Sequence, residues 1–479
     1  MTLSSVPQPN EQLDRKIQAV FGEQAIDKRR LPMSQLTKQG IPAYVAEWIL
    51  DTLVPGYGEL KSEEADKVRQ WAVRFIPSPS DANQIKNRLL NGELVKILTL
   101  LEVDVILTER DQKRVANLRL LQMVKIVISD GLVEKYPDLL DEGMWGVVEI
   151  INDPALGPSV VGFKPMQASI NIDLYKGARK EFTLEEWRSM LLTSMGYQPD
   201  SFTTEEQSVM LCRLLPLVEK NMHIIELAPK GTGKSYVFEN ISPHIRLISG
   251  GNISPAVLFV NNANDRWGIL ERFSVVVLDE VQTLKFDQKE EIVGGLKGYL
   301  ANGRLTRGGK HETSSDCSLV LLANILLDEH QLPIKSPIIK DLPLFLQETA
   351  IIDRFKGIIP GWRINKLSPS SFAQGVGLKS DFFGDAMLAL RSDLEINQFV
   401  KRKIGFSPKK SYTRNTESII ALSSGMMKLL FPHGVVSDDE FDRYCVQPAV
   451  TLRQLIWDQL YTLDAEYRQY DRVLRYDIK

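Results

Sequence analysis

Residues 224–238, IIELAPKGTGKSYVF, have the composition of a phosphate-binding loop between a strand and a helix. The loop pattern is a glycine, any four residues, and then Gly-Lys-Ser or Gly-Lys-Thr, and Ala228 stands where the pattern has its first glycine. In such a turn, backbone N–H groups surround a phosphate at the start of the helix. We expect the following residues to bind nucleotide: Pro229, Lys230, Gly231, Thr232, Gly233, Lys234 and Ser235.

Two residues of this loop have specific expected roles. Lys234 would reach the β- and γ-phosphates of ATP, and the hydroxyl of Ser235 would bind Mg²⁺. Alanine at position 228 is compatible with these roles if its backbone angles are ordinary, because the first glycine opens the turn and does not contact phosphate. The alternative is a glycine-containing turn that binds nothing.

Polar residues end two further apolar runs downstream. FSVVVLDE ends in Asp279 and Glu280, and CSLVLLAN ends in Asn324. Asp279 would hold Mg²⁺ through its water shell, and Glu280 would act as general base for the attacking water. Asn324 could orient that water near the γ-phosphate. For the first run alone, a core strand that ends in surface acids is the alternative.

Two arginines could complete the site. Arg354, in ETAIIDRF, is suited to an arginine finger, a cation that stabilises negative charge on the γ-phosphate in the transition state. A salt bridge to Asp353 or another acid is the alternative role. Arg414 lies at the start of the amphipathic segment SYTRNTESIIALS and could sense the γ-phosphate from a lid domain. In this order and spacing, the motifs predict a P-loop ATPase of the AAA+ type.

The composition is that of an ordinary folded chain. Its 479 residues are 43% apolar and 25% charged, enough for about three domains. The 58 basic and 61 acidic residues nearly balance, so any site for nucleic acid must be local. The three cysteines have no ligand spacing, which predicts a reducing compartment and no structural zinc. We find no signal peptide and no membrane-spanning run, and therefore expect a cytoplasmic protein.

Periodicity divides the chain into four predicted regions. Helical spacing of apolar residues predicts a mainly helical domain over residues 1–92. Alternating β-rich runs predict a small OB-like barrel over 93–178. Alternating strands and helices predict the AAA+ core over 179–366, followed by a helical lid and C-terminal helices over 367–479. The predicted fold class is therefore multidomain α/β.

A basic, glycine-rich segment, GYLANGRLTRGGKHE, lies between the acidic motif and Asn324. Arg304, Arg307 and Lys310 could line a hairpin in the pore of a ring and follow a DNA backbone. An exposed basic turn, or one that contacts a neighbouring subunit, is the alternative. The run DKRRL, residues 27–31, is a second and weaker candidate for binding DNA.

Longer stretches of the sequence resemble a bacterial family. The order of the motifs resembles Walker A, Walker B, sensor 1, arginine finger and sensor 2 of AAA+ ATPases, and the segment around Arg414 is similar to the lid helix of MCM helicases. From about residue 10 to the end of the lid, the chain resembles the Lon-protease-like BrxL proteins of BREX phage-exclusion systems. The segments that carry this resemblance include IPAYVAEWIL, GMWGVVEI, FKPMQASI, FTLEEWRSMLLTSMGYQP and LKGYLANGRLTRGG.

The resemblance implies a ring-forming AAA+ ATPase that binds DNA and takes part in anti-phage defence. The implied partners are further copies of the chain, in a hexameric ring or stacked rings, DNA, and other defence-system proteins, without a membrane. Family members commonly have Gly-Pro-Arg where this loop has Ala228, Pro229 and Lys230. Longer members also carry a Lon-like region after the lid, and a Lon-type protease needs a serine activated by a lysine. The one Gly-Pro-Ser, residues 157–159, lies in a predicted turn before the ATPase motifs, so we expect no proteolysis by this chain.

Three functions stay open at this point. The first is a ring that couples ATP hydrolysis to DNA translocation or remodelling. The second is an ATP-dependent protein remodeller of Lon type without its own protease, for which Tyr299 and Leu300 are the nearest candidates to grip a polypeptide. The third is a nucleotide-gated DNA-binding scaffold, against which Glu280, Asn324 and Arg354 argue.

Overall fold

The computed structural model describes residues 10–37, 41–108, 112–140, 143–166, 170–261, 266–307, 311–406 and 412–479. The chain forms two compact units. The small unit is Arg29–Ser169, and the large unit combines Met1–Lys28 with Ile170–Lys479. The large unit therefore includes the first elements of the chain, helix α1 (Glu11–Phe21) and strand β1 (Ala25–Asp27). The boundaries of these two units differ from those of the four regions that we predicted, and the division into four regions stays a prediction.

In its described residues, the small unit consists of four helices followed by a closed β-barrel, with a fifth helix between two of the barrel strands. Its helices are α2 (Arg30–Ser34), α3 (Ala43–Leu53), α4 (Ser62–Phe75), α5 (Ala82–Leu90) and α6 (Asp130–Lys135). Its strands are β2 (Val95–Leu107), β3 (Gln112–Leu118), β4 (Met123–Ile128), β5 (Met144–Asp153) and β6 (Gly157–Pro165). The barrel has the strand order β2-β3-β4-β6-β5, and β4 and β6 close it as a parallel pair.

Side chains that alternate along a strand fill the interior of the barrel. Along β5, Met144, Gly146, Val148 and Ile150 are buried and the residues between them are more exposed. Glycine is required at position 146, because a Cβ there would lie 2.5 Å from the carbonyl oxygen of Lys164.

The Gly-Pro-Ser at residues 157–159 begins strand β6, so our prediction of a turn there was wrong. The apolar run that follows it pairs with β5 along its length.

The remaining elements belong to the large unit. Its helices are α7 (Ile172–Ala178), α8 (Leu184–Ser194), α9 (Thr204–Leu211), α10 (Leu215–Val218), α11 (Lys234–Asn240), α12 (Pro255–Leu258), α13 (Ile269–Arg272), α14 (Lys289–Asn302), α15 (Thr349–Ile352), α16 (Ser380–Ala389), α17 (Leu394–Lys403), α18 (Thr413–Leu430), α19 (Asp438–Phe441) and α20 (Gln447–Leu463). Its strands after β1 are β7 (Ile224–Ala228), β8 (Ile245–Ser249), β9 (Asn252–Ile253), β10 (Val260–Asn261), β11 (Arg266–Trp267), β12 (Val275–Asp279), β13 (Lys285–Phe286), β14 (Arg304–Arg307), β15 (His311–Ser314), β16 (Ser318–Asn324), β17 (Gly357–Pro360), β18 (Val376–Leu378), β19 (Ile404–Gly405) and β20 (Asp477–Ile478).

A five-stranded parallel sheet forms the centre of the large unit. Its strand order is β17-β7-β16-β12-β8, and every neighbouring pair is parallel. Strands β7 and β12 are buried along their whole length, as expected of a sheet covered on both faces. Because all five strands run the same way, their carboxyl ends meet at one edge of the sheet. Strand β16 lies between β7 and β12, which brings the ends of three sequence motifs side by side.

The structure is mixed α/β with a closed five-stranded barrel, as the coarse fold class predicted. The segment after β18 is mostly helical, and its longest helices are α18 and α20. Side chains of α20, including Ile456, Trp457 and Leu460, are buried in the same core as the sheet. Across the described part of the chain, every helix is too short or too polar to cross a bilayer.

Candidate active site

The predicted phosphate loop lies at the carboxyl edge of the sheet, between β7 and α11. Gly231 and Gly233 have φ angles of +88° and +72°, in the left-handed region that favours glycine. A Cβ at Gly233 would also lie 2.8 Å from the hydroxyl of Tyr197. Ala228 is the last residue of β7 and is fully buried, with backbone angles that any residue adopts in a strand. The glycine that the pattern expects there is therefore not required by this backbone.

Two side chains of the core hold the loop through its carbonyl groups. The hydroxyl of Tyr197 donates to the carbonyl of Gly233 at 2.9 Å, and Arg213 Nη2 donates to the carbonyl of Thr232 at 3.2 Å. Arg213 is fully buried and forms an ion pair with the equally buried Glu226 of β7, at 2.6 Å. Removing either charge would leave the other uncompensated in the core, which is strongly destabilising.

Two further carbonyl groups of the loop also have donors. The backbone N–H of Leu367 donates to Gly231 at 2.8 Å, and the hydroxyl of Thr232 donates to Pro229 at 3.3 Å. Hydrogen bonds thus engage four of the loop's carbonyl oxygens, three of them from outside the loop and one from Thr232 within it. This arrangement suits an anion site, because a phosphate needs N–H donors and is repelled by carbonyl oxygens.

The polar ends of the three central strands converge on one hydrogen-bonded chain. Lys234 Nζ donates to Asn324 Oδ1 at 2.5 Å, and Asn324 Nδ2 donates to Glu280 Oε1 at 3.0 Å. Beside them, Ser235 Oγ donates to Asp279 Oδ2 at 2.7 Å. The structure therefore brings together five residues that the sequence analysis selected from three separate motifs.

Burial changes the electrostatics of Lys234. Its side chain is almost fully buried, and desolvation lowers the pKa of the ammonium group. The carboxylates of Glu226, Asp279 and Glu280 oppose that shift. An ammonium that has lost most of its water is stabilised when phosphate oxygens take the place of the lost solvent.

Glu280 has an unusual backbone. Its φ is +46°, which is uncommon for a residue other than glycine, and its N–H donates to Asp279 Oδ1 at 2.8 Å. Backbone strain of this kind occurs preferentially at functional sites. The conformation places the carboxylate of Glu280 against Asn324, at the end of the strand that carries Asp279.

The donor set near the loop fits Mg²⁺. Ser235 and Asp279 supply a hydroxyl and a carboxylate, and Mg²⁺ prefers oxygen ligands from one or two carboxylates with phosphate and water. Within the described ranges there is no group of three or more His, Cys, Asp or Glu side chains arranged to hold a metal by themselves. A cation at this position would depend on the nucleotide for much of its coordination.

Arg354 and Arg414 lie elsewhere, at the amino edge of the sheet. Arg354 precedes β17, and Lys356 N, two residues later, donates to the carbonyl of His223, which directly precedes β7. The phosphate loop follows the opposite end of β7. Since β7 has five residues, its length alone separates Arg354 from the loop by about 16 Å.

A buried carboxylate, Asp353, fixes the segment that carries Arg354. Asp353 accepts hydrogen bonds from Tyr412 at 2.7 Å, from Arg453 at 2.9 Å and from Arg414. Arg354 itself donates to the carbonyl of Ala350, and no ion pair of Arg354 is found among the described residues. Arg414 and Arg453 are therefore the ion-pair partners of Asp353. The salt bridge between Arg354 and Asp353, which we gave as the alternative role of Arg354, is not found among the described residues. Desolvation, and then the neighbouring Arg414, lower the pKa of Arg354.

The predicted DNA-binding residues are only partly described. Arg304 begins β14, which pairs with β15 in an antiparallel hairpin, and its side chain is 64% exposed, 3.8 Å from Glu312. Arg307 ends β14, and Lys310 lies outside the described residues. The weaker candidate, residues 27–31, is not an exposed basic run, because Lys28 and Arg30 are buried. Each of these cations is buried in its own unit, which a short sequence run cannot indicate.

Sequence reasoning missed the residues that support the site. Tyr197, Arg213 and Glu226 hold the loop, and Tyr412 and Arg453 hold Asp353. A signal existed for two of them, because Arg213 and Glu226 are charges inside otherwise apolar runs. Such a charge indicates a buried partner, but the sequence does not say which one.

Two family models match the chain. The model described as "Lon-like protease BrxL-like, ATPase domain" covers residues 159–472, which includes the whole site. Residues 159–472 therefore belong to a class of ATPase domains. The model described as "BREX system Lon protease-like protein BrxL N-terminal" covers residues 19–151. The chain belongs to the BrxL family of BREX systems, as its resemblance predicted.

Two curated relatives agree with this assignment. The chain is 29% identical over 451 residues to Lon-like protease BrxL of Escherichia coli O9:H4 (strain HS), a match that covers 90% of this chain. It is 28% identical over 443 residues, 88% of its length, to Lon-like protease BrxL of Bacillus cereus (strain H3081.97). In both cases the match spans 63% of the relative.

Proposed function

We propose that this chain is a ring-forming AAA+ ATPase that binds DNA and couples ATP hydrolysis to DNA translocation or remodelling in BREX-type anti-phage defence. The proposed assembly is a hexameric ring or stacked rings that work with other defence proteins. We interpret the helices after β18 as the lid and the barrel as OB-like. The observation that carries the proposal is the hydrogen-bonded chain from Lys234 through Asn324 to Glu280, beside Ser235 and Asp279.

The proposed chemistry is hydrolysis of the γ-phosphate. Lys234 and the loop N–H groups bind the phosphates, and Glu280 accepts a proton from the attacking water as its oxygen bonds to phosphorus. The bond from phosphorus to the bridging oxygen of ADP breaks. Asn324 holds Glu280 in place at 3.0 Å and exchanges its contact with Lys234 for one with the nucleotide. Mg²⁺, held by Ser235 and Asp279, would neutralise part of the phosphate charge.

The position of Arg354 supports assembly. Arg354 lies at the amino edge of the sheet and cannot reach the phosphate loop of its own chain, but a neighbouring chain can present it there. Because Asp353 holds Arg414 beside Arg354, Arg414 would also act on the neighbour's nucleotide. This would give each site two cations from the adjacent subunit.

We propose that DNA contacts the β14–β15 hairpin, and that Arg304, Arg307 and Lys310 bind its phosphates.

The protein-remodelling alternative receives less support. Tyr299 is buried and donates to the carbonyl of Cys317, and Leu300 is 3% exposed. Neither side chain is available to grip a polypeptide in this conformation.

Steady-state ATP hydrolysis, with and without double-stranded DNA at low and physiological salt, tests the proposal. We expect hydrolysis that DNA stimulates, with stimulation falling as salt rises, because phosphate contacts release counterions. The Arg304→Ala/Arg307→Ala variant should lose the stimulation and keep the basal rate. Nucleotide binding without hydrolysis under every condition would instead support the scaffold function.

A further inference from the structure

We propose that a short hairpin, residues 325–335, is the surface on which a second copy of this chain docks at the carboxyl edge of the sheet. The inference rests on the proposed assembly and names a surface for it. The exposed side chains of Leu326, Leu332 and Ile334 would pack against the neighbouring copy, close to the nucleotide bound by their own chain. The neighbour's Arg354 would contact that same nucleotide.

The hairpin is anchored directly beside the site. It follows Asn324 without an intervening residue, and its first residue, Ile325, is buried and donates through its N–H to the carbonyl of Ala228 at 3.1 Å. The N–H of Ile334 donates to the carbonyl of Leu326, also at 3.1 Å. A partner that binds the hairpin therefore contacts a segment continuous with the catalytic residues.

Hydrogen bonds fix the tip of the hairpin. The Asp328 N–H donates to the carbonyl of Leu332 at 2.8 Å. The Asp328 carboxylate accepts from the N–H groups of His330 and Leu332, both at 2.9 Å. The turn is thus held in one conformation, and docking on it would cost little conformational entropy.

Three apolar side chains of the hairpin flank its polar tip, residues 328–331, and face solvent. Leu326, Leu332 and Ile334 are 73%, 54% and 59% exposed, and Leu344, later in the same connection to α15, is 84% exposed. Isolated exposed aliphatic residues are common, but several on one ordered segment are characteristic of an interaction surface.

Charge makes a second copy the best occupant. The hairpin carries two carboxylates, Asp328 and Glu329, beside the site, and the triphosphate of bound ATP would add negative charge to the carboxyl edge. Lys335, at the base of the hairpin, is already paired with Asp341 at 2.6 Å. An approaching surface that is cationic would therefore complement this edge.

The amino edge of the same fold supplies such a surface. Arg354 has no carboxylate partner among the described residues, and the side chain of Arg414 is 40% exposed. Asp353, the acid between them, is shared by Arg414 and the buried Arg453, so the cluster keeps excess positive charge. Head-to-tail docking of the amino edge of one copy on the carboxyl edge of the next joins opposite charges and repeats into a ring.

The test measures assembly against concentration by light scattering, with a non-hydrolysable ATP analogue present. The Leu326→Ser/Ile334→Ser variant should need at least about tenfold more protein than wild type to assemble, since truncating apolar anchors weakens interfaces by such factors. Leu394→Ser/Val473→Ser is the matched control, because these side chains are 65% and 60% exposed elsewhere on the same unit. The control should assemble as wild type does.

A second variant separates weaker docking from misfolding. Glu329→Arg changes a side chain that is 86% exposed, so it should leave the unfolding temperature unchanged and still weaken assembly, most strongly at low salt. If wild type assembles and both hairpin variants assemble at the same concentration, the docking surface is wrong and the ring proposal stands. If wild type stays monomeric with the analogue at every concentration, the ring proposal fails and the docking surface fails with it.

Discussion

At the scale of single residues, the site depends on groups that hold the reactive residues as much as on the reactive residues themselves. Asn324 links Lys234 to Glu280, and Tyr197 and Arg213 hold carbonyl oxygens of the phosphate loop. Each of these contacts can be removed by one conservative substitution. We expect some of these substitutions to weaken ATP binding and others to slow ATP hydrolysis.

The general base gives the first prediction. Glu280→Gln keeps a similar side chain and a hydrogen bond to Asn324 but cannot accept the proton, so ATP should still bind and turnover should fall at least about 100-fold. Lys234→Ala should instead abolish binding. Equilibrium binding of a fluorescent ATP analogue and steady-state hydrolysis separate the two effects. Normal turnover by Glu280→Gln would remove its assignment as the base.

The loop support gives the second prediction. Tyr197→Phe removes the donor to Gly233, so the affinity for ATP should fall about three- to tenfold, the usual value of one hydrogen bond. Tyr299→Phe is the control, because it removes a buried hydroxyl that donates to the carbonyl of Cys317, away from the loop. Equal ATP affinity in both variants would show that the Tyr197 contact serves stability alone.

At the scale of elements, the parallel sheet explains why part of the site could be predicted. Lys234, Asp279 and Asn324 each follow or end an apolar run that forms a strand, and the carboxyl ends of parallel strands meet at one edge. Local sequence patterns therefore sufficed to place these residues together. The fold class and the β-rich barrel were predictable for the same reason, since the periodicity of apolar residues is local.

Other features depend on contacts distant in sequence. Arg414 meets Asp353 only because α18 packs beside the segment before β17, and nothing in either segment specifies that partner. The pairing of Arg213 with Glu226 is similar, since a charge in an apolar run indicates burial without naming its counterion. The inclusion of α1 in the large unit also follows from tertiary packing.

The network around Asp353 gives the third prediction. Asp353→Asn removes the negative charge that compensates the fully buried Arg453, so the free energy of unfolding should fall by about 3 kcal/mol. Asp316→Asn is the control, because its pair with Lys220 is exposed and should contribute at most about 1 kcal/mol. Urea unfolding followed by tryptophan fluorescence measures both. Equal losses would mean that the network does not stabilise the fold.

At the scale of the whole molecule, the two edges of the sheet carry complementary halves of one proposed site. The carboxyl edge has the predicted phosphate loop and the proposed general base, Glu280, and the amino edge has Arg354 and Arg414. No single chain brings these halves together. We therefore predict that activity requires contact between copies, and that hydrolysis per chain rises with protein concentration until assembly is complete.

ATP hydrolysis by mixtures of two inactive variants, Arg354→Ala and Lys234→Ala, tests whether neighbouring copies complete each other's sites. In a mixed assembly, an intact nucleotide site of an Arg354→Ala subunit meets the arginine of a neighbouring Lys234→Ala subunit. We predict that each variant alone is inactive and that mixing restores part of the wild-type rate, with a maximum at an intermediate ratio. No activity at any ratio, with mixed assemblies confirmed by mass, would contradict the assignment of Arg354 to a neighbour's site.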